Sequence, residues 1–232
     1  MPPPPRLRSD AVRNRERILT AAKTLFARVG MQASVEDIAR EAGVGVGTLY
    51  RRFPDRTELI EAVFLDRGQA CLDLLTQCLA QSDAWQAFHA YVTTLCAMQE
   101  QDRSIADVLT LTLPPSPAIQ RVRTGIFHAQ NQLIARARTN GGLRPDFTGE
   151  DVATLLLANA GIIAAVADKL PTASARFVAL HLDSLRTGEL SELPAGPTPE
   201  QMLAALQRPV TSQRVPVPPA GRPTLPLLSE PE

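Results

Sequence analysis

Cysteine and histidine are both scarce in this chain, and each scarcity excludes a class of function. Cys71, Cys78 and Cys96 are odd in number and lack CxxC spacing, which argues against a disulfide framework and fits a reducing cytoplasm. His89, His128 and His181 stand singly, with no HxxxH and no cysteine pair nearby, so neither a metal nor a cofactor is expected. No Ser-His-Asp or paired-carboxylate arrangement can be assembled in sequence order, and no enzyme is expected. Alternation of period two is missing throughout, which leaves no signal for a sheet. The start, MPPPPRLRSD, lacks the apolar stretch of a secretory leader. The longest apolar run, Val152 to Ala167, has 16 residues, whereas a bilayer span needs about 20. A core or interface helix is expected there, and no membrane partner.

Formal net charge is zero, which excludes a wholly basic coat, yet the charge is unevenly spread. Residues 1–56 hold 11 Lys and Arg against 6 Asp and Glu, so a basic patch precedes an acidic body. Lys23 and Lys169 are the only lysines, a bias that reflects base composition before phosphate binding. At 44% hydrophobic, the chain can bury a proper core.

Of 20 prolines, four lie in Pro2–Pro5 and ten from Pro194 onward. The limits that follow are a disordered basic arm at 1–9, a small head at 10–60, a larger body at 61–190 and a proline-rich tail at 191–232. In that tail Thr198-Pro-Glu-Gln201 has the form of a capping box, which predicts one short helix through Met202, Leu203 and Leu206.

Between the tails the signals are helical. Ile18, Ala22, Leu25, Phe26 and Val29 share one face and stop at Gly30. Ser34-Val-Glu-Asp37 opens a short helix that Gly43 ends, and a second short helix runs from about Val46 to Phe53 before Pro54. Asp55 caps a long helix through Leu59, Ile60, Val63 and Phe64. Asp83 starts a helix through about Glu100, Ser104 to Thr112 forms a short one, and Ser116-Pro117 opens a long one ending near Gly141-Gly142. Thr148-Gly-Glu-Asp151 caps the apolar helix, and a last one follows Pro171 and ends at Gly188. The expected class is all-α, with a three-helix head on a larger helical body that binds ligand and dimerises.

Two short helices about a tight glycine turn form a helix-turn-helix, whose second helix enters the DNA major groove. Val44, Leu49 and Phe53 form its anchor stripe, which turns Val46, Gly47, Thr48, Tyr50, Arg51 and Arg52 outward. Thr48 and Tyr50 offer hydroxyls to phosphate, Arg51 and Arg52 offer forked donors, and Gly47 lets backbone approach backbone. Gly43, Gly45 and Gly47 are turn chemistry and no phosphate loop, since they follow a helix and lack GK[ST].

The stretch SVEDIAREAGVGVGTLYRRFPDRTEL, Ser34 to Leu59, resembles the DNA-binding signature of the TetR family of regulators, and RILTAAKTLFARVG resembles that family's first helix. The likeness covers about residues 10–70. It implies that Thr48, Tyr50 and Arg56 contact phosphates, that Val46 and Gly47 lie near base edges, and that Leu49 and Phe53 are core. Ser34 and Gly45 complete the expected DNA-facing set. Two departures stand out: Gly45 and Val46 replace the family's frequent serine and following polar residue, and Arg56 replaces a common lysine. Arg6, Arg8, Arg13 and Arg15 form either an arm reaching the duplex or a solvated basic tail.

In the body, Trp85, Phe88, Tyr91, Met98, Phe127 and Asn131 are candidate ligand-pocket residues, with ordinary core as the competing reading. Leu157, Ala160, Gly161, Ala164 and Ala165 permit close helix approach and are the candidate dimer seam, which the last helix would complete. The expected function is a homodimeric repressor that binds a palindromic operator and is released by an unknown small-molecule effector. The competing functions are a DNA-binding regulator without ligand response, and an adaptor or enzyme with a fortuitous helix-turn-helix.

Overall fold

In the computed structural model, residues 5–30, 33–105, 116–166, 169–186 and 193–206 are described. Among them the elements are α1 (Pro5–Val29), α2 (Val35–Glu41), α3 (Val46–Arg52), α4 (Arg56–Leu79), α5 (Ala84–Gln101), α6 (Pro117–Asn140), α7 (Gly149–Val166), α8 (Ala173–Ser184) and α9 (Pro199–Leu206). The fold is all-α, and the one strand-like pairing in the described residues is an isolated bridge between Leu143 and Arg186.

Helix starts follow from side-chain oxygens that meet otherwise unpaired N–H groups. Ser34 Oγ accepts from Asp37 N at 3.1 Å, Asp55 from Thr57 N at 2.9 Å and Asp83 from Gln86 N at 2.9 Å. The box at α9 closes in both directions, Thr198 N donating to Gln201 Oε1 and Gln201 N to Thr198 Oγ1. At α7 the return half is made, with Thr148 N donating to Asp151 Oδ2 at 2.8 Å. Gly30, Gly43 and Gly142 take positive φ where helices end.

Two boundaries differ from the sequence reading. The first helix begins at Pro5, inside the stretch assigned to an arm, because proline in a first turn forgoes an N–H that has no helical partner there. The last body helix stops at Ser184 rather than Gly188 because Leu185 and Arg186 turn to meet the α6–α7 loop. There Arg144 N donates to Leu185 O at 2.9 Å, and the Arg186 guanidinium covers the Trp85 ring at 4.9 Å. The short helix expected at 104–112 is described only at Ser104 and Ile105; the rest lies outside the described residues.

Two cores result. Ile18, Phe26, Ile38, Leu49, Phe53, Leu59 and Phe64 close the head, and Ile119 of α6 joins them. Leu75, Trp85, Phe88, Tyr91, Leu133, Leu155 and Val178 centre the body. Helix α4 belongs to both, so the head is carried on a rod reaching into the body. Head and body are also tied by Arg103 N donating to Ala27 O at 2.8 Å, and by ion pairs running Lys23–Asp66–Arg67–Asp102.

The body core contains a polar chain that burial obliges to be complete. Ser174 Oγ donates to Asn159 Oδ1, Asn159 Nδ2 to Gln99 Oε1, and Gln99 Nε2 to the carbonyl of Leu156. It joins α8, α7 and α5. By length and composition α7 could cross a membrane, but its inner face packs in this core, with Val152, Leu155, Leu156, Asn159 and Ile163 buried.

Candidate nucleic-acid interface

The recognition element is α3, and its orientation is set from beneath. Leu49 and Phe53 are buried and Val44 packs beside them, while Arg15 lies over the Phe53 ring at 5.1 Å. The turn before α3 is held from α1 by Arg17 Nη2, which donates to Gly43 O at 3.2 Å. Gly45 occupies the N-cap and supplies no side-chain bond to the first turn.

With that stripe inward, Val46, Gly47, Tyr50, Arg51 and Arg52 are exposed and Thr48 is half-buried. A Cβ placed on Gly45 or Gly47 would meet nothing within 4 Å, so both open the surface rather than relieve a crowded interior. Arg51 Nη2 donates to Thr48 Oγ1 at 3.0 Å, which pre-aligns two of the polar groups. Arg56, at the start of α4, donates to Ala33 O at 3.2 Å and thereby joins the entry of α4 to the entry of α2. Ser34 is exposed at that entry, and its hydroxyl also donates to Asp37 Oδ2 at 2.7 Å. Asp37 in turn accepts from Arg40 at 2.7 Å, and these two partners, Ser34 first, hold its carboxyl below the usual range. All nine residues therefore lie on or beside α3 and the two helix starts that flank it.

The body residues sort differently. Trp85, Phe88 and Tyr91 are core, with the Tyr91 hydroxyl donating to Gln130 Oε1 at 2.7 Å. Met98 packs at the core edge, Asn131 is half-buried beside Gly149, and Phe127 is 49% exposed. Among the described residues, Trp85, Phe88 and Tyr91 fill space in the core, as large side chains at helical spacing do. A cavity of about 200 Å³ opens elsewhere, where the α6–α7 loop meets α7 and α8. Phe147 and His181, which line it, carried no pocket signal because they come from a loop and a different helix. Of the five seam candidates, Leu157, Gly161, Ala164 and Ala165 are exposed on one side of α7, and Ala160 is half-buried. The three thiols are buried, and burial pushes Cys71 up to about 11, Cys96 to about 12 and Cys78 upward as well.

A buried-backed, outward-facing second helix after a glycine turn, on a rod that enters a helical body, defines a helix-turn-helix DNA-binding regulator. Family models sharpen this: residues 18–63 match that of bacterial regulatory proteins of the tetR family, and residues 83–187 match the C-terminal domain of SbtR-like transcriptional regulators. The chain belongs to the TetR family of transcriptional regulators. It is similar to the crystal structure of a TetR transcription regulatory protein from Mycobacterium vanbaalenii, with 29% identity, 78% of this chain and 99% of that one covered, and a TM-score of 0.50. The fatty acid degradation regulator FadR from Bacillus halodurans shares the fold, with 21% identity, 75% and 97% coverage and a TM-score of 0.54. An HTH-type transcriptional regulator of Staphylococcus aureus (strain bovine RF122 / ET3-1) is 46% identical over 54 residues. Those residues are 23% of this chain and 29% of the relative, so the chain spans under a third of that curated relative's length.

Proposed function

We propose that the chain is a cytoplasmic, homodimeric repressor that holds a palindromic operator with two copies of α3 and leaves it when a small molecule binds the body. The observation that carries this reading is the exposed face of α3, with Gly47 open, Tyr50 and Arg51 outward, and Leu49 and Phe53 locking the helix beneath. In it Thr48, Tyr50 and Arg56 anchor phosphates, Val46 and Gly47 approach base edges, and Ser34, Gly45, Arg51 and Arg52 complete the contact surface.

Dimerisation rests on the outer face of α7. Leu157 is 40% exposed and Gly161, Ala164 and Ala165 continue its stripe, while Leu180 of α8 is 58% exposed. Small residues allow a second pair of helices to approach closely, and covering Leu157 and Leu180 removes apolar surface from water. One short helix reads too few base pairs to select a genomic site, so two-fold repetition of the head supplies the specificity.

The test is selection of bound DNA from a random pool by the full chain, followed by anisotropy titration of the winning site at several salt concentrations. A palindrome whose half-sites lie about one helical turn or more apart, bound with a steep salt dependence, is expected. Enrichment of no sequence would overturn the reading.

A further inference from the structure

A further cavity, of about 170 Å³, opens between head and body, where the C-terminus of α1 meets α7 and the end of α5. Its walls are apolar, from Val29, Ala160, Ile163 and Ala164, and Gln99 closes one side. Both ends of the Gln99 amide are spent, Nε2 on Leu156 O and Oε1 on Asn159 Nδ2, so it serves as wall and not as anchor. An apolar cavity of about 150 Å³ takes one benzene ring, so this one suits a compact hydrocarbon body and no extended chain.

Among the described residues, the one charged side chain lining this cavity is Arg103, just past the end of α5. Arg103 is exposed, and among the described residues its guanidinium has no hydrogen bond or ion pair. The neighbouring Asp102 is committed elsewhere, to Arg67 through Oδ2 and to Ser104 through Oδ1. The carbonyls at the end of α1 are partly covered as well, Phe26 O by Gly30 N and Ala27 O by Arg103 N. A cation would meet only the like charge of the arginine. A carboxylate would reach a forked donor that no described group of the protein has claimed.

We infer that this cavity binds a small apolar monocarboxylate, with its hydrocarbon body among Val29, Ala160 and Ile163 and its carboxylate on the Arg103 guanidinium. The same residue already ties head to body, since Arg103 N donates to Ala27 O at 2.8 Å. A ligand seated here touches α1 of the head and α5 and α7 of the body at once, and so resists any motion that separates them. Ala160 and Ala164 also belong to the proposed seam, which sets the ligand beside the second copy. The regulatory consequence rests on the proposed effector response; the binding does not.

The experiment is titration of the full chain with benzoate at matched ionic strength, followed through the methyl NMR signals of Val29 and Ile163, with benzyl alcohol as a neutral control of similar shape. Saturable shifts of both signals are expected, with benzoate bound about fivefold tighter, the ratio that a solvent-exposed ion pair supports. Arg103→Gln should erase that preference and leave benzyl alcohol affinity unchanged, and Arg103→Lys, which keeps the charge without the fork, should retain part of it. Absence of saturable benzoate shifts at Val29 and Ile163, equal affinity for the two compounds, or a preference that survives Arg103→Gln overturns the site. Operator anisotropy with and without saturating benzoate separates the two proposals, a change of about fivefold or more being expected. Benzoate that fills the cavity and leaves operator affinity unchanged overturns the regulatory consequence and leaves the binding site standing.

Discussion

Arg17 Nη2 donates to the carbonyl of Gly43 at 3.2 Å, and Gly43 holds φ at +62°. One contact thus fixes the angle at which α3 leaves the turn, from a helix that is itself part of the head core. A side chain at Gly43 is disfavoured by that backbone conformation, and its Cβ would also lie 2.7 Å from Arg17 Nη2. The guanidinium can move away; the backbone cannot. Gly43→Ala should therefore destabilise the head by about 1–2 kcal/mol and weaken operator binding, whereas Gly43→Asn, which tolerates left-handed backbone better, should recover part of both. Thermal unfolding and anisotropy on the same samples check this, and equal effects of alanine and asparagine would count against it.

Gly47 carries the opposite expectation. It lies within α3, where a Cβ meets nothing within 4 Å, so alanine should stabilise the helix by up to about 0.5–1 kcal/mol. If that surface lies against DNA, the same methyl group should weaken or redirect sequence preference. Tyr50→Ala and Arg56→Ala should instead weaken binding about equally for every sequence, since phosphate contacts position without specifying. A Gly47→Ala variant with raised melting temperature and unaltered operator preference would remove α3 from the base edges.

The seam proposed on α7 invites a charge. Gly161 is exposed with open space around it, so Gly161→Arg should leave the protomer folded while placing a guanidinium against its copy. Sedimentation should report monomers, and operator affinity should fall in parallel. Monomers that keep full operator affinity would break the link between dimerisation and recognition.

Much of this architecture was legible because helix ends are written in local chemistry. Ser34, Asp55, Asp83 and Thr198 cap where their spacing placed them, and Gly30 and Gly43 end helices as glycine allows. The outward face of α3 followed from the anchor stripe of Val44, Leu49 and Phe53. Long-range facts were not legible. Asn159 reads as an interruption of an apolar run, and only the fold reveals Gln99 and Ser174 on either side of it. Trp85, Phe88 and Tyr91 have the bulk of a pocket, yet periodicity reports which face turns inward and not whether the facing helices leave a gap. One gap lies beside Phe147 and His181, 34 residues apart in sequence.

Burial also predicts the behaviour of the thiols. With Cys71 pushed up to about 11 and Cys96 to about 12, the reactive thiolate is at most about a thousandth of either at pH 8. Cys78 shifts the same way. A disulfide reagent should react with all three only as fast as the body opens, and addition of denaturant should bring the three together in one phase. Rapid modification of the native chain at any of them would restore a redox role.

The last prediction concerns how the body would move the head in the proposed response. Helix α4 starts at Arg56 beside the recognition helix and ends among Cys71, Leu75 and Cys78 in the body core, so its tilt sets the position of α3. That tilt is fixed where α4 crosses α6, and the crossing is unusually close. A Cβ on Gly68 would clash with Val122 Cγ1, and one on Gly125 would come within 3.1 Å of Leu72 Cδ2. Gly68→Ala must push the two helices apart at the pivot, because Val122 is branched and cannot withdraw its methyl groups by a long-side-chain rotation. The expected outcome is a loss of about 1–3 kcal/mol in stability together with weaker operator binding, although no DNA-facing residue has changed. Val122→Ala alone should cost little in affinity, and combined with Gly68→Ala it should restore most of what was lost. A double-mutant cycle read in both unfolding free energy and operator affinity isolates the coupling, since the paired residues touch and additivity should fail. If operator affinity fell with Gly68→Ala and the second substitution rescued stability but not affinity, α4 would not be the lever that connects body to head.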